Sequence, residues 1–136
     1  MRRQRRNPGA VRRALVLEDE LSLAELCQRV LSAEGFDVDV APDGVMAESM
    51  LKEKDYELFL LDVRTPRING TQVYRAIEGR AAQRASRVLF TTGDVLDQQT
   101  RDFLQRTHRP VLPKPFGPSE LRQAVRRLMQ ELEHEG

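Results

Sequence analysis

The chain has 136 residues, 40% hydrophobic and 32% charged, with 22 basic against 21 acidic side chains and a formal net charge of +1. That is room for one domain with a true core and a solvated surface, and it excludes a disordered polyelectrolyte. No stretch approaches the roughly 20 apolar residues of a membrane span, the Arg-rich start lacks the apolar segment of a secretory signal, and the single cysteine, Cys27, excludes an internal disulfide. The expected location is the cytoplasm.

Charge is unevenly spread. Residues 1–13 hold six arginines (Arg2, Arg3, Arg5, Arg6, Arg12 and Arg13) and no acid, which leaves 16 basic against 21 acidic residues in the remainder. Asn7-Pro8-Gly9 breaks the chain and no apolar period runs through the segment. Residues 1–13 are therefore read as a basic flexible arm.

From residue 14 onward, short apolar runs alternate with longer amphipathic segments. Residues 14–17 form a first strand. Leu23, Leu26, Cys27, Val30 and Leu31 follow at helical spacing, and Gly35 stops that helix. Residues 36–40 alternate strictly, as a strand buried on one face does. Residues 43–54 are a second helix, with Val45, Met46, Ser49, Met50 and Leu51 on or beside its inner face. The run 58–61 is apolar throughout, as expected of a central parallel strand covered on both sides. A third helix is predicted over 71–79, a strand over 88–90, and a fourth helix over 95–106 resting on Val95, Leu96, Phe103 and Leu104. A short strand at 111–112 precedes a last helix opened by Pro118 and Ser119, with an apolar stripe of Leu121, Val125, Leu128, Met129 and Leu132.

Five β/α units imply a doubly wound (βα)5, flavodoxin-like α/β fold with one parallel sheet and helices on both faces. Right-handed crossovers and a half-polar second strand suited to an edge give the strand order 2-1-3-4-5. Ligands of such sheets sit beyond the carboxyl ends of the strands. There the sequence puts Glu18 and Asp19 after the first strand, Asp62 after the third, Thr92 at the end of the fourth and Lys114 after the fifth. Taken singly, these residues could cap a helix, start a turn or face solvent. Taken together, clustered carboxylates call for a cation, and oxygen donors of this kind suit Mg2+ or Mn2+. Asp62, the most central acid, can act as a nucleophile toward phosphorus.

Residues 15–20 (Leu-Val-Leu-Glu-Asp-Glu), 60–66 (Leu-Leu-Asp-Val-Arg-Thr-Pro) with Gly70, Thr92-Gly93, and 112–116 (Leu-Pro-Lys-Pro-Phe) together resemble the signatures of the response-regulator receiver domain. The resemblance covers residues 14–133 and leaves 134–136 as a tail. It implies that Asp62 is the phosphoacceptor. Glu18, Asp19, Asp62 and the backbone carbonyl of Arg64 would be the metal ligands, with Glu18 acting through a water. Thr92 would be the switch hydroxyl and Lys114 the phosphate-binding lysine, preceding a cis bond to Pro115. The implied partners are a sensor histidine kinase or a histidine phosphotransfer protein as donor, and a downstream protein target; a homodimer is a further arrangement the resemblance admits. Residues 88–93 are similar to those of hybrid-kinase receivers.

Four positions are expected to modulate the site: Arg64, Asp94, Val111 and Pro115. Arg64 is expected to swing toward the phosphoryl group and alter the lifetime of the acyl phosphate. Val111 stands where the family commonly has an aromatic ring, which removes the usual relay to the surface. No helix-turn-helix pattern is present, so no DNA-binding domain is expected within the chain. The reading is of a signalling module rather than a turnover enzyme. Its main rival is a protein-binding module of the same fold that works without phosphorylation. A dehalogenase-type phosphatase lacks its second acid, because Arg64 stands there. Glu18-Asp19-Glu20 would repel the phosphate of an FMN carrier.

Overall fold

The computed structural model describes residues 11–65, 69–94 and 96–135. The arm residues 1–10, Pro66 and Val95, all used in the sequence reading, lie outside them. Five parallel strands, β1 (Arg12–Leu17), β2 (Phe36–Ala41), β3 (Leu58–Asp62), β4 (Val88–Thr92) and β5 (Val111–Pro113), form one sheet in the order β2-β1-β3-β4-β5. The helices are α1 (Leu21–Ala33), α2 (Gly44–Glu53), α3 (Gly70–Arg80), α4 (Gln98–Thr107) and α5 (Pro118–Glu135), and a 3-10 turn at Ala82–Arg87 leads into β4. Fold class and strand order are as the sequence implies.

Side chains of the central strands alternate between two cores. Leu15, Leu17, Phe59, Leu61 and Phe90 face one side, with Tyr74, Ile77 and Phe103 from α3 and α4. Ala14, Val16, Leu58, Leu60 and Leu89 face the other, with Leu31 of α1 and Leu121, Val125 and Leu128 of α5. Every residue of β3 and β4 is buried. A strand with helices on both faces has no solvated side, which is why 58–61 reads as an unbroken apolar run. At the end of α1, Gly35 takes φ +97°, a conformation that a Cβ disfavours, and its N–H bonds Ser32 O at 3.0 Å.

Besides shifts of a residue or two at several element ends, four features differ from what the sequence suggests. β1 begins at Arg12, so Arg12 and Arg13 belong to the sheet and not to the arm. Arg12 pairs in register with Phe36 and lays its guanidinium 4.4 Å from the centre of that ring, a cation–π contact that lets a charged residue join the strand. In α2 the inner face is Ala47 and Leu51, while Val45 and Met46 are exposed and Ser49 faces out. Asp43 accepts the N–H of Met46 and sets the helix phase from its N-cap. α4 begins at Gln98 because Asp97 caps it, leaving Leu96 82% exposed and outside the helix. α5 continues through Glu135, taking in part of what was read as a tail at 134–136.

Cys27 lies in the α1-side core at 2% exposure, and burial, aided by the charge of Glu18, pushes its thiol up to about 12. A buried thiol with so little thiolate at neutral pH is inert. Iodoacetamide is expected to spare Cys27 in native buffer and to label it fully in concentrated urea. Native labelling at the unfolded rate would contradict this placement.

Candidate functional site

The carboxyl edge of the sheet, where β1 and β3 diverge in chain order, gathers the polar residues that follow the strands. Glu18 directly follows β1 and its N–H bonds Ala41 O of β2 at 3.0 Å, which extends the strand pairing and holds its side chain inward at 4% exposure. Its Oε2 accepts the N–H of Glu20 at 3.0 Å. Asp19 is exposed at the mouth of the site. Neither acid caps α1: the N-cap is Glu20, which makes no side-chain capping bond.

Asp62 ends β3 at 4% exposure. Its Oδ1 accepts the backbone N–H of Arg64 at 3.1 Å, and its Oδ2 accepts the Lys114 ammonium at 2.8 Å. Lys114 also meets Glu18 Oε1 at 2.9 Å. Its backbone N–H bonds Thr92 O at 2.8 Å, which ties the residue after β5 to the end of β4. The Lys114–Pro115 bond is cis, as the resemblance implies. Thr92 is buried at 1% exposure, and its hydroxyl oxygen accepts the N–H of Asp94 at 3.0 Å.

Glu18, Asp19 and Asp62 each offer a carboxylate oxygen, and these atoms all lie within 4.8 Å of one another. Three acids thus face one ammonium. Burial raises the pKa of Glu18 and of Asp62; the Lys114 hydrogen bond opposes the rise in each but does not cancel it. For Lys114, burial works against the ammonium, and the bonds to Asp62 and Glu18 outweigh it, so the pKa is raised. The cluster is short of positive charge. Hard oxygen donors at this spacing fit a small divalent cation, which would supply what Lys114 alone does not.

The four modulating positions are all among the described residues. Arg64 turns its guanidinium across the crevice, with Nη2 3.2 Å from Asp94 Oδ2 and 3.2 Å from Asp97 Oδ2. Asp97 was not singled out from the sequence. Hydrogen bonds from the Thr100 side chain and backbone hold its carboxyl below the usual range. Its readable signal is an Asp three residues before a Thr at the start of a helix. Val111 is half-buried and packs on the core that contains Phe90 and Phe103. The rings on that side belong to Tyr74, Phe90 and Phe103, with centroids 5.4–5.9 Å apart. Gly70 opens α3 behind Asn69, whose side chain and Gln72 form a reciprocal capping box.

An open parallel sheet of this order, with its polar groups at the switch point, is the architecture of a flavodoxin-like α/β domain, which hosts several functions. Comparison with known proteins narrows that class: the chain belongs to the response regulator receiver domain family, which it matches over residues 14–126. It is a receiver module of two-component signal transduction. It is 37% identical over 121 residues to the DNA-binding response regulator MtrA of Mycolicibacterium paratuberculosis, covering 84% of this chain and 49% of that protein. The chain thus spans about half the length of this relative. Among solved structures, it is similar to the receiver domain of a Pseudomonas aeruginosa sensor histidine kinase with magnesium coordinated in its active site cleft (TM-score 0.77, 25% identity, 89% of this chain and 99% of that one). It is also similar to the response regulator TrrA of Thermotoga maritima in complex with Mg2+ and BeF (TM-score 0.72, 27% identity, 87% and 99%). Among the described residues, no helix is long and apolar enough to cross a membrane.

Proposed function

We propose that the module accepts a phosphoryl group from a phosphohistidine onto Asp62, beside a bound Mg2+ or Mn2+ ion, and thereby switches a protein-interaction surface. The observation that carries this reading is the double contact of Lys114 with Glu18 and Asp62, one cation serving two buried carboxylates beside a third. The rival, a binding module indifferent to phosphorylation, gives no reason to keep so poorly compensated a cluster. Asp19, Asp62 and the backbone carbonyl of Arg64 would hold the cation, with Glu18 acting through a water. When bound, the cation offsets charge on the transferring group.

The chain's own groups then have distinct tasks. An oxygen lone pair of Asp62 attacks phosphorus, and an O–P bond forms as the P–N bond of the donor breaks, its electron pair passing to the imidazole nitrogen. Lys114 meets a phosphoryl oxygen with the positive charge it now gives to Asp62 and Glu18. Thr92 accepts from Asp94 N–H, which leaves its own O–H to donate to another phosphoryl oxygen. Attack of water on phosphorus later returns the free carboxylate and inorganic phosphate. The donor is a sensor histidine kinase or a histidine phosphotransfer protein, the target is a downstream protein, and the setting is the cytoplasm.

Intact mass after incubation with a small-molecule phosphodonor tests the reading. A phosphoryl adduct that requires Mg2+ and is missing from Asp62→Asn is expected; a wild type that forms none contradicts it. A pH dependence follows as well. The raised pKa values of Glu18 and Asp62 mean that the native state keeps protons the unfolded chain has lost. Their contribution to stability is thus greatest below the ordinary carboxylate range and falls as pH rises through the native values. In chelator, Asp62→Asn is expected to melt above wild type at pH 7, with the gap closing toward pH 4. Saturating Mg2+ is expected to stabilise wild type by about 2.7 kcal/mol at a hundredfold excess over Kd, and Asp62→Asn far less. Melting curves with equal Mg2+ responses in the two proteins would contradict the ligand assignment.

A further inference from the structure

We propose that Arg64 is a two-position latch: in the free protein it holds the entry to α4 through Asp94 and Asp97, and it transfers to the phosphoryl group once Asp62 carries one. The inference rests on Asp62 as acceptor and goes beyond it by naming the element that the phosphoryl group sets loose. The Arg64 backbone is fixed at the acceptor, its N–H on Asp62 Oδ1 at 3.1 Å. Its side chain spans the crevice to the opposite wall, 3.2 Å from both aspartates. These two residues bracket the connection from β4 to α4. Asp94 is anchored to Thr92 by its N–H. Asp97 caps α4, and the same Oδ2 that meets Arg64 also accepts Thr100 N–H at 2.9 Å and Thr100 Oγ1 at 2.7 Å. A single guanidinium thus joins the phosphorylation site to the first turn of the helix.

Magnitudes decide which partner wins. The Arg64 side chain is 59% exposed, and Asp94 and Asp97 are 42% and 29% exposed, so each pair contributes at most about 1 kcal/mol. A phosphoryl group carries roughly −1.5 to −2 charges and three strong acceptor oxygens, and arginine matches it bidentately. The guanidinium is more than half exposed, and the Arg64 backbone already stands at the acceptor. Its departure leaves Asp94 and Asp97 without the guanidinium that bridges them, and the first turn of α4, no longer tied to the opposite wall, loosens. Phe103, buried in edge contacts with Tyr74 and Phe90, holds the second half of α4. The loosening is therefore confined to the first turn of α4.

Amide hydrogen exchange with Mg2+ and beryllium fluoride, an acyl-phosphate mimic, tests this. In wild type, exchange over residues 98–101 is expected to rise about fivefold, with residues 103–107 unchanged. Asp97→Asn keeps a good capping residue but loses the ionic partner. It is expected to form the phosphoryl adduct, to start with faster exchange over 98–101, and to gain little from the mimic. Arg64→Lys, a point charge that does not bridge two carboxylates as a guanidinium does, is expected to lie between the two. If wild type forms the adduct but 98–101 does not respond, or responds equally in Asp97→Asn, the latch is overturned and the acceptor stands. If wild type forms no adduct, both fall.

Discussion

Lys114→Met is expected to lower the stability of the metal-free protein by about 3 kcal/mol, far more than loss of a surface lysine. The ammonium lies 2.8 Å from Asp62 and 2.9 Å from Glu18, each about 4% exposed, and is itself only 20% exposed. Methionine keeps the length of the stem, so what is lost is charge and hydrogen bonding rather than volume. Two buried carboxylates then face each other beside Asp19 with no cation, and burial has already raised the pKa of both before that loss. Urea unfolding in chelator measures the effect. Glu18→Gln placed on top of Lys114→Met is expected to recover part of it, because one of the stranded charges is gone. Equal urea midpoints for wild type and Lys114→Met would mean that the pairing contributes nothing to the fold.

Gly70→Ala is expected to cost a similar amount, about 3 kcal/mol, for a steric reason. A Cβ on Gly70 would lie 2.2 Å from the carbonyl oxygen of Asp62, 2.9 Å from its carbonyl carbon and 3.0 Å from Val63 Cα. All three are backbone atoms that no rotamer change moves. The start of α3 must therefore back away from the end of β3, breaking the Gly70 N–H bond to Val63 O and shifting Asp62 itself. Phosphoryl acceptance is expected to fall together with stability. Gly79, in the same helix, has nothing within 4 Å of its Cβ position, and Gly79→Ala is expected to stabilise by up to about 1 kcal/mol. Opposite signs at two glycines of one helix would show that contact with Asp62, not helix propensity, sets the cost. Two small and equal changes would contradict the close approach.

The parts of the molecule that were legible in the sequence are those in which one force dominates. The 58–61 run has the unbroken apolar character expected of a doubly covered strand, and the stripe from Leu121 to Leu132 recurs at helical spacing. Glu18, Asp19, Asp62, Thr92 and Lys114 were found because a parallel sheet brings the ends of its strands together whatever its loops do. The side chains of Glu18, Asp62 and Lys114 meet there, Asp19 stands at the mouth, and the Thr92 hydroxyl bonds locally to Asp94 N–H. Elsewhere the forces were closer to balance. α2 offered Val45 and Met46 as plausible inward residues, but the Asp43 cap fixed a phase that buries Ala47 and Leu51. Leu96 extends the apolar pattern of α4 in the sequence, yet capping by Asp97 starts the helix after it. Arg12 looked like part of a charged arm until pairing with Phe36 drew it into β1. The Arg64 contacts to Asp94 and Asp97 depend on how two loops face each other, and no periodicity encodes that.

The proposed chemistry joins one atom pair, a carboxylate oxygen of Asp62 and the phosphorus of a donor. Borohydride reduces an acyl phosphate to the alcohol, so an aspartate that carried a phosphoryl group is read afterwards as homoserine. Wild-type protein treated with phosphodonor and Mg2+, reduced and mapped by peptide mass spectrometry is expected to carry homoserine at position 62 and at no other acid, with none when Mg2+ is withheld. Homoserine at Asp19 or another aspartate, or the five-carbon alcohol 2-amino-5-hydroxypentanoic acid at Glu18, with position 62 intact, or no reduction product at all, would contradict the central claim.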